Sequence, residues 1–171
     1  MRSMYQLAPI AVATLVASNA HGQSLCDLIP AATVKTTLTL TGNLTATPNR
    51  EGGNGCDYKL DGALAIAVTA DSSDASGMVG MMFDRRLKQL PTGALLVPHI
   101  GDAAYYVAKP GQNIAKDHTN TYTQQSLVFR AKGKVVSFIV MTPGSGVPKD
   151  ALLTLGTLTA SKPIDSLKDS K

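Results

Sequence analysis

The stretch Tyr58-Lys59-Leu60-Asp61-Gly62-Ala63-Leu64 decides the fold, because it contains the clearest turn signal of the chain. Asp-Gly between two strand-like runs is typical of a two-residue hairpin turn whose central residues adopt positive φ. We therefore predict a pair of antiparallel strands at 56–60 and 63–70. In the second strand large apolar residues alternate with alanines. This places Ile66 on one face and Ala65 on the other, and it predicts that both faces are covered.

A second hairpin is predicted around Lys132-Gly133, between strands at 124–131 and 134–141. In the later strand, Val136, Phe138 and Val140 should face one way, with Val135 and Ile139 facing the other. Further strands are predicted at 39–47, 94–97 and 103–108. We expect these strands to run antiparallel.

Helices are predicted at 31–38, 74–90 and 148–160. The longest has an apolar stripe at three- and four-residue steps that is predicted to face the core, made of Met78, Met82, Phe83, Leu87 and Leu90. In the last helix, Leu152, Leu155 and Leu158 are predicted to face inward. The order of elements predicts an α+β fold, in which helices pack on the faces of an antiparallel sheet.

The first twenty residues have the pattern of a signal peptide. Arg2 precedes an apolar run at 7–17, and Ser18-Asn19-Ala20 supplies small residues for cleavage before His21. We therefore expect export to the periplasm or the medium. The rest of the chain is predicted to form a single α+β domain at 21–160 and a flexible polar tail at 161–171.

The chain has two cysteines, Cys26 and Cys56, and in an oxidising compartment they allow one intramolecular disulfide. A lipoprotein alternative uses Cys26 as an acylated residue, but the bulky Leu25 before it does not fit the small residue that processing requires. We therefore expect no stable membrane anchor. A C-x-x-C redox motif is also absent from the sequence.

The composition is mildly basic and excludes few functions. The formal charge is +4, and the basic residues are scattered rather than arranged in a stripe with aromatics, so we expect no nucleic acid partner. No motif indicates a cofactor. Met78, Met81 and Met82 carry thioethers that could bind Cu(I), but Met78 and Met82 belong to the stripe predicted to face the core. Core packing is therefore the interpretation, and we expect no metal site.

Catalytic signals are equally weak. His99 and Asp102 lie three residues apart in a predicted turn and form the candidate acid–base pair of a hydrolase, the enzymatic alternative. Gly144-Ser145-Gly146 lacks the outer glycines of a nucleophile elbow. We expect the protein not to be an enzyme.

The candidate ligand-binding residues are Tyr105, Tyr106, Tyr122 and His99. Tyr105 and Tyr106 must face opposite sides of a strand, so one should belong to the core. The other is a candidate to line a surface groove with Tyr122.

Several stretches together resemble a known family, namely Cys26-Asp27-Leu28-Ile29-Pro30, Cys56-Asp57-Tyr58, Gly101-Asp102-Ala103-Ala104-Tyr105-Tyr106 and Leu127-Val128-Phe129-Arg130. The chain resembles small exported bacterial domains of unknown function, best known among actinobacterial lipoproteins. Their topology is similar to the extrinsic photosystem II oxygen-evolving protein fold. The resemblance implies an antiparallel sheet between helices, supports the disulfide and supplies no catalytic residues.

These observations lead us to expect a monomeric, non-catalytic binding or accessory module that recognises a protein or a small ligand. The alternative is an inhibitor or immunity protein against a secreted toxin or lytic enzyme.

Overall fold

The computed structural model describes residues 24–49, 55–71, 77–115 and 118–167. The predicted leader at 1–20 lies outside these residues. The described chain contains a seven-stranded antiparallel sheet with strand order β1-β2-β3-β7-β6-β5-β4. The strands are β1 Leu44–Asn49, β2 Gly55–Leu60, β3 Ala63–Asp71, β4 Ala94–Leu96, β5 Ala103–Ala115, β6 His118–Ala131 and β7 Lys134–Pro143. The helices are α1 Leu25–Leu28, α2 Ala31–Thr37, α3 Met78–Lys88 and α4 Lys149–Ala160, and a short 3₁₀ turn follows at Ile164–Ser166.

Both predicted hairpin turns are confirmed. Asp61 and Gly62 have φ of 49° and 88°, and Lys132 and Gly133 have φ of 50° and 72°, as a two-residue turn between twisted strands requires. The first turn is also tied to the chain before β1. Its Asp61 amide donates to the Asn43 carbonyl, and the Asn43 amide donates to the Asp61 carboxylate, both over 2.9 Å.

A β-bulge in β3 overturns one detail of the sequence prediction. Tyr58 pairs with Ile66 whereas Lys59 pairs with Leu64, so Ala65 is the extra residue of the bulge. Such a residue shifts the alternation of side chains between the two faces. Ala65 and Ile66 are therefore both buried in the same core cluster, where simple alternation predicted opposite faces.

Alternate residues of the same strands contribute to two separate core clusters. The larger cluster joins side chains of α1, α2 and α4 to Leu127, Phe129 and Phe138. The smaller cluster is centred on Phe83 of α3, Tyr105 and Val135. The predicted alternation in β7 is confirmed, because Val136 and Phe138 lie in the larger cluster and Val135 lies in the smaller one.

The predicted disulfide is confirmed between Cys26 and Cys56, with a Cα–Cα distance of 5.2 Å. It connects α1 to β2. Two residues farther along β2, the buried Tyr58 hydroxyl donates to the Ile29 carbonyl over 2.5 Å. Burial raises the pKa of this phenol above its ordinary range. The N-terminal helices are thus held to the sheet by a covalent bond and a buried hydrogen bond.

The predicted apolar stripe of α3 is confirmed in part. Phe83 is buried in the smaller cluster, and Leu87 and Leu90 pack against that cluster as predicted. Met78 and Met82 are exposed instead, and Val79 packs against the cluster in their place. Residues 72–76 lie outside the described part of the chain, so the predicted start of this helix at 74 is not covered by the structure.

The last helix and the end of the chain also depart from the prediction. Leu152 and Leu155 are buried as predicted, but Leu158 is exposed and Thr159 is buried in its place. Ile164 and Leu167 join the larger cluster, so the packed structure continues to 167, where a polar tail was predicted from 161. Two apolar residues three apart in a polar segment are too weak a pattern to show this burial.

Strands β5 and β6 are longer than the predicted 103–108 and 124–131. They stay paired out to Ala115 and His118, whereas the pairing of β6 with β7 ends at Tyr122. The added segment is rich in polar residues and has no apolar alternation. Backbone hydrogen bonds extend this hairpin, and its sequence lacks the apolar alternation from which the longer strands could have been predicted.

Candidate functional site

A groove of about 400 Å³ lies between α3 and the central strands β5, β6 and β7. The helix contributes Val79, Met82, Phe83 and Arg86, and the strands contribute Tyr105, Val107, Lys109, Gln124, Ser126, Val128, Val135, Ser137 and Ile139. Most of this lining is apolar. The polar side chains are spread along its floor and one side.

The floor follows from strand alternation and register. Tyr105, Val107 and Lys109 lie on one face of β5, because successive side chains of a strand point to opposite sides. Their partners on β6 are Val128, Ser126 and Gln124 respectively. The floor therefore changes from aromatic and aliphatic near Tyr105 to polar near Lys109.

Side-chain contacts between α3 and the strands β5 and β6 border the groove. Phe83 is buried and stacks on Tyr105, with ring centroids 5.9 Å apart. The Arg130 guanidinium lies 5.5 Å from the Phe83 ring centroid and forms a 3.0 Å ion pair with Asp84. These contacts connect α3 to β5 and β6 beside the groove.

Two cationic side chains border the groove. Arg86 and Lys109 are both exposed at its lining, and the lining side chains that the structure describes include no carboxylate. Burial raises the pKa of the Tyr105 phenol, and the positive charge of the Arg86 guanidinium opposes that rise. Tyr105 and Lys109 are separated by roughly 13 Å along β5, given about 3.3 Å per residue. A ligand as long as the groove would contact both cations.

The middle of the floor carries hydrogen-bonding groups that are partly open to solvent. Ser126 and Ser137 are half-buried, as is Gln124. Each hydroxyl can donate one hydrogen bond and accept others. Apolar walls with a few convergent polar groups are typical of small-molecule sites.

The predicted binding residues do not form one site. Tyr105 lines the groove, whereas Tyr106 belongs to the larger core cluster on the other side of β5. There its hydroxyl accepts a 2.9 Å hydrogen bond from Gln125. The prediction that these two tyrosines face opposite ways is confirmed, and only Tyr105 can contact a ligand in the groove.

Tyr122 and His99 lie elsewhere. Tyr122 lies two residues before Gln124 on β6 and, by alternation, on the same side of the strand as the groove, but it is not part of the groove lining. It pairs with Gly111 of β5. His99 is exposed in the turn before β5 with a φ of 65°. Asp102 uses its amide to donate to the Arg130 carbonyl over 2.7 Å, and within the described chain no hydrogen bond or ion pair joins its carboxylate to His99.

Sequence reasoning missed the polar residues of the groove. Arg86 was not part of the predicted apolar stripe of α3, and Ser126 and Ser137 carried no motif. The available signal was that a serine interrupts the apolar alternation in both β6 and β7. The register pairs Ser126 with Ile139 and Ser137 with Val128, so the two serines are diagonal neighbours. That register becomes visible only when the strands are paired.

Other kinds of site are not indicated in the described part of the chain. It contains no cluster of three or more His, Cys, Asp or Glu side chains suited to a metal ion. Among the helices of residues 24–49, 55–71, 77–115 and 118–167, none is long and apolar enough to cross a membrane.

Comparison with known proteins gives one structural similarity. No protein-family model matches the chain, and no curated protein matches it. The chain is similar to a protein from Bacteroides thetaiotaomicron VPI-5482 whose crystal structure was solved at 1.50 Å, with a TM-score of 0.48 and 16% sequence identity. The match covers 75% of this chain and 42% of that protein, so the chain spans less than half its length. The resemblance to small exported domains and to the photosystem II fold stays a prediction.

Proposed function

We propose that this protein is a non-catalytic binding module that holds a small ligand with an apolar body and an anionic group in the groove between α3 and the sheet. The observation that carries the proposal is the combination of apolar walls with Arg86 and Lys109 at the lining. The helices are inferred to cover both faces of the sheet, with α3 leaving part of its face uncovered for the ligand.

The dimensions of the groove suit this class of ligand. A volume of about 400 Å³ lies within the usual range for small-molecule sites. Phe83, Val107 and Ile139 offer apolar contact, whereas Ser126 and Ser137 offer hydrogen bonds. An anionic group would gain charge-assisted hydrogen bonds from Arg86 or Lys109, and these are stronger than hydrogen bonds between neutral groups.

The setting of the module is proposed from the sequence and the disulfide together. Disulfides persist in oxidising compartments, and the Cys26–Cys56 bond is consistent with the predicted export to the periplasm or the medium. The ligand would then be a molecule of the cell envelope or the surroundings.

The test uses 8-anilinonaphthalene-1-sulfonate, an aromatic sulfonate, and its uncharged analogue N-phenyl-1-naphthylamine. Fluorescence titration is expected to show saturable binding of the sulfonate. Arg86→Gln and Lys109→Gln should each weaken that binding several-fold, with a smaller effect on the uncharged analogue. Arg85→Gln is the matched control, because Arg85 is exposed on the same helix but does not line the groove.

A second variant tests the location independently of charge. Ser126→Leu fills the centre of the floor and should reduce the binding of both probes. Unchanged binding by Ser126→Leu would reject the groove as the site. Equal weakening by Arg85→Gln and Arg86→Gln would reject the specific role of Arg86.

A protein partner is the second candidate, and the short edge strand β4 favours it. Leu95 and Leu96 on this strand are 53% and 61% exposed. An exposed strand edge with apolar side chains can pair with a strand of another protein, as an inhibitor or accessory protein would require. Affinity capture from the cell envelope should then recover a specific partner with the native chain and lose it with Leu96→Lys. Retention by that variant would reject the edge as the contact.

A further inference from the structure

Three of the six methionines of the chain lie within five residues on α3, and the structure exposes all of them. The exposed fractions are 72% for Met78, 62% for Met81 and 51% for Met82. Core packing, the interpretation favoured by the sequence pattern, therefore does not account for these side chains. Only Met82 reaches the lining of the groove.

Helical spacing brings the three side chains together. Met81 and Met82 are three and four residues after Met78, and residues at these separations have Cβ atoms about 5–6 Å apart on one side of a helix. Methionine has three rotatable bonds, so sulfurs that start this close can turn toward a common point. Because the side chains are exposed, no other residue has to move to allow that convergence.

We propose that Met78, Met81 and Met82 form a binding site for a soft monovalent ion, Cu(I) or Ag(I), coordinated by three thioether sulfurs. Thioethers are neutral, polarisable ligands that select Cu(I) over harder ions. The site is separate in chemistry from the proposed anion-binding groove and does not depend on it.

The surrounding charges favour a monovalent ion over a divalent one. Arg85 follows Met82 by three residues and Met81 by four, so its guanidinium shares their side of the helix. Met78 is also the first residue of α3, at the positive end of the helix dipole. Both effects repel a divalent cation about twice as strongly as a monovalent one, and the sulfurs supply no compensating negative charge. Zn²⁺ and Cu²⁺ are therefore expected to bind far more weakly than Ag⁺.

The experiment is a titration of the oxidised full-length chain with Ag⁺, which is redox-inert under these conditions. Both cysteines are in the disulfide, so no thiolate competes for the ion. With the methionine methyl groups labelled with ¹³C, one equivalent of Ag⁺ should shift the three resonances assigned to Met78, Met81 and Met82. Isothermal titration should give one site, weakened at least ten-fold by Met81→Leu.

Met141→Leu is the matched control, because Met141 belongs to β7 and not to α3. Its replacement should leave the affinity for Ag⁺ unchanged, and replacement of all three helical methionines by Leu should abolish the one-equivalent site. The proposal is overturned if Met141→Leu weakens binding as much as Met81→Leu. It is equally overturned if the triple variant still binds one equivalent, if the native chain binds none, or if Zn²⁺ binds as tightly as Ag⁺. Arg86→Gln, which tests the groove, should not lower the Ag⁺ affinity, so the two proposals fail separately.

Discussion

Replacing Gln125 with Leu tests how the buried polar contacts stabilise this fold. Gln125 is buried on β6, and its amide nitrogen donates to the Tyr106 hydroxyl over 2.9 Å and to the Val147 carbonyl over 2.8 Å. Its carbonyl oxygen accepts from the Val147 amide over 2.7 Å. Val147 directly precedes Pro148, the N-cap of α4. One side chain therefore connects the sheet to the start of the last helix.

The size of the effect follows from these three hydrogen bonds. Each contributes about 1 kcal/mol net, and the Val147 amide and carbonyl lose a buried partner when the glutamine is removed. Leucine regains part of this by apolar burial, so we expect a loss of about 2–3 kcal/mol in the free energy of unfolding. For a chain of this size, that corresponds to a fall in Tm of roughly 4–12 °C.

The assay is urea unfolding of the oxidised protein at 25 °C, followed by circular dichroism. Gln124→Leu is the matched control, because Gln124 is the neighbouring residue but lies half-buried in the groove on the opposite side of β6. It should change the free energy of unfolding by less than about 0.5 kcal/mol, as partly exposed substitutions usually do. A Gln125→Leu variant as stable as the native chain would refute the reasoning, and so would an equal loss in both variants.

Three further predictions concern the disulfide, a buried phenol and the attachment of α3. The Cys26–Cys56 bond closes a separation of 30 residues, so reduction should lower the free energy of unfolding by about 3–4 kcal/mol in urea titration and leave the circular dichroism spectrum of the fold unchanged. Complete unfolding at room temperature on reduction would contradict this. Because burial raises the pKa of Tyr58, the folded state keeps a proton that the unfolded chain loses above about pH 10, and stability must fall as the pH rises through that range. Tyr58→Phe removes this contribution, so its stability deficit at neutral pH should narrow in unfolding measurements above about pH 10, and a constant deficit would be evidence against the buried neutral phenol. Phe83→Ala should destabilise the protein by roughly 3 kcal/mol and increase hydrogen exchange in α3 more than in β5 to β7, whereas uniform exchange would show that the helix is not attached through this ring.

Local turn chemistry was the most reliable guide to the fold. Asp61-Gly62 and Lys132-Gly133 predicted two hairpins that the structure contains, because the glycine of each pair adopts the positive φ of the turn without strain. The alternation in β7 predicted the two sets of side chains that enter separate clusters. Apolar periodicity found the helices and part of their inward faces, since Phe83, Leu87 and Leu90 pack inward as predicted whereas Met78 and Met82 do not. In α3 the stacking of Phe83 on Tyr105 selected the inward face.

The candidate site could be predicted only in part. Tyr105 was singled out as a candidate groove residue and does line the groove. The sequence did not predict that Arg86 and Lys109 line the same groove, because Arg86 belongs to a helix and Lys109 to a strand at the polar end of a hairpin. Ser126 and Ser137 are diagonal neighbours only through the register of β6 and β7, which pairs them with Ile139 and Val128 respectively. These residues are far apart in the sequence, so their closeness in the groove could not be predicted from it.

By itself, the sequence determined the two hairpin turns, the alternation in β7, the approximate positions of α2, α3 and α4, and the pairing of two cysteines, because each depends on residues within a few positions or on a single possible partner. Tertiary structure alone decided the bulge at Ala65, the exposure of the α3 methionines and the burial of Gln125 with Val147. It also decided that side chains of α3, β5, β6 and β7 line one groove with two cations, Arg86 and Lys109. These features depend on contacts between residues that are far apart in the sequence, and those contacts form only when the helices and the sheet pack together.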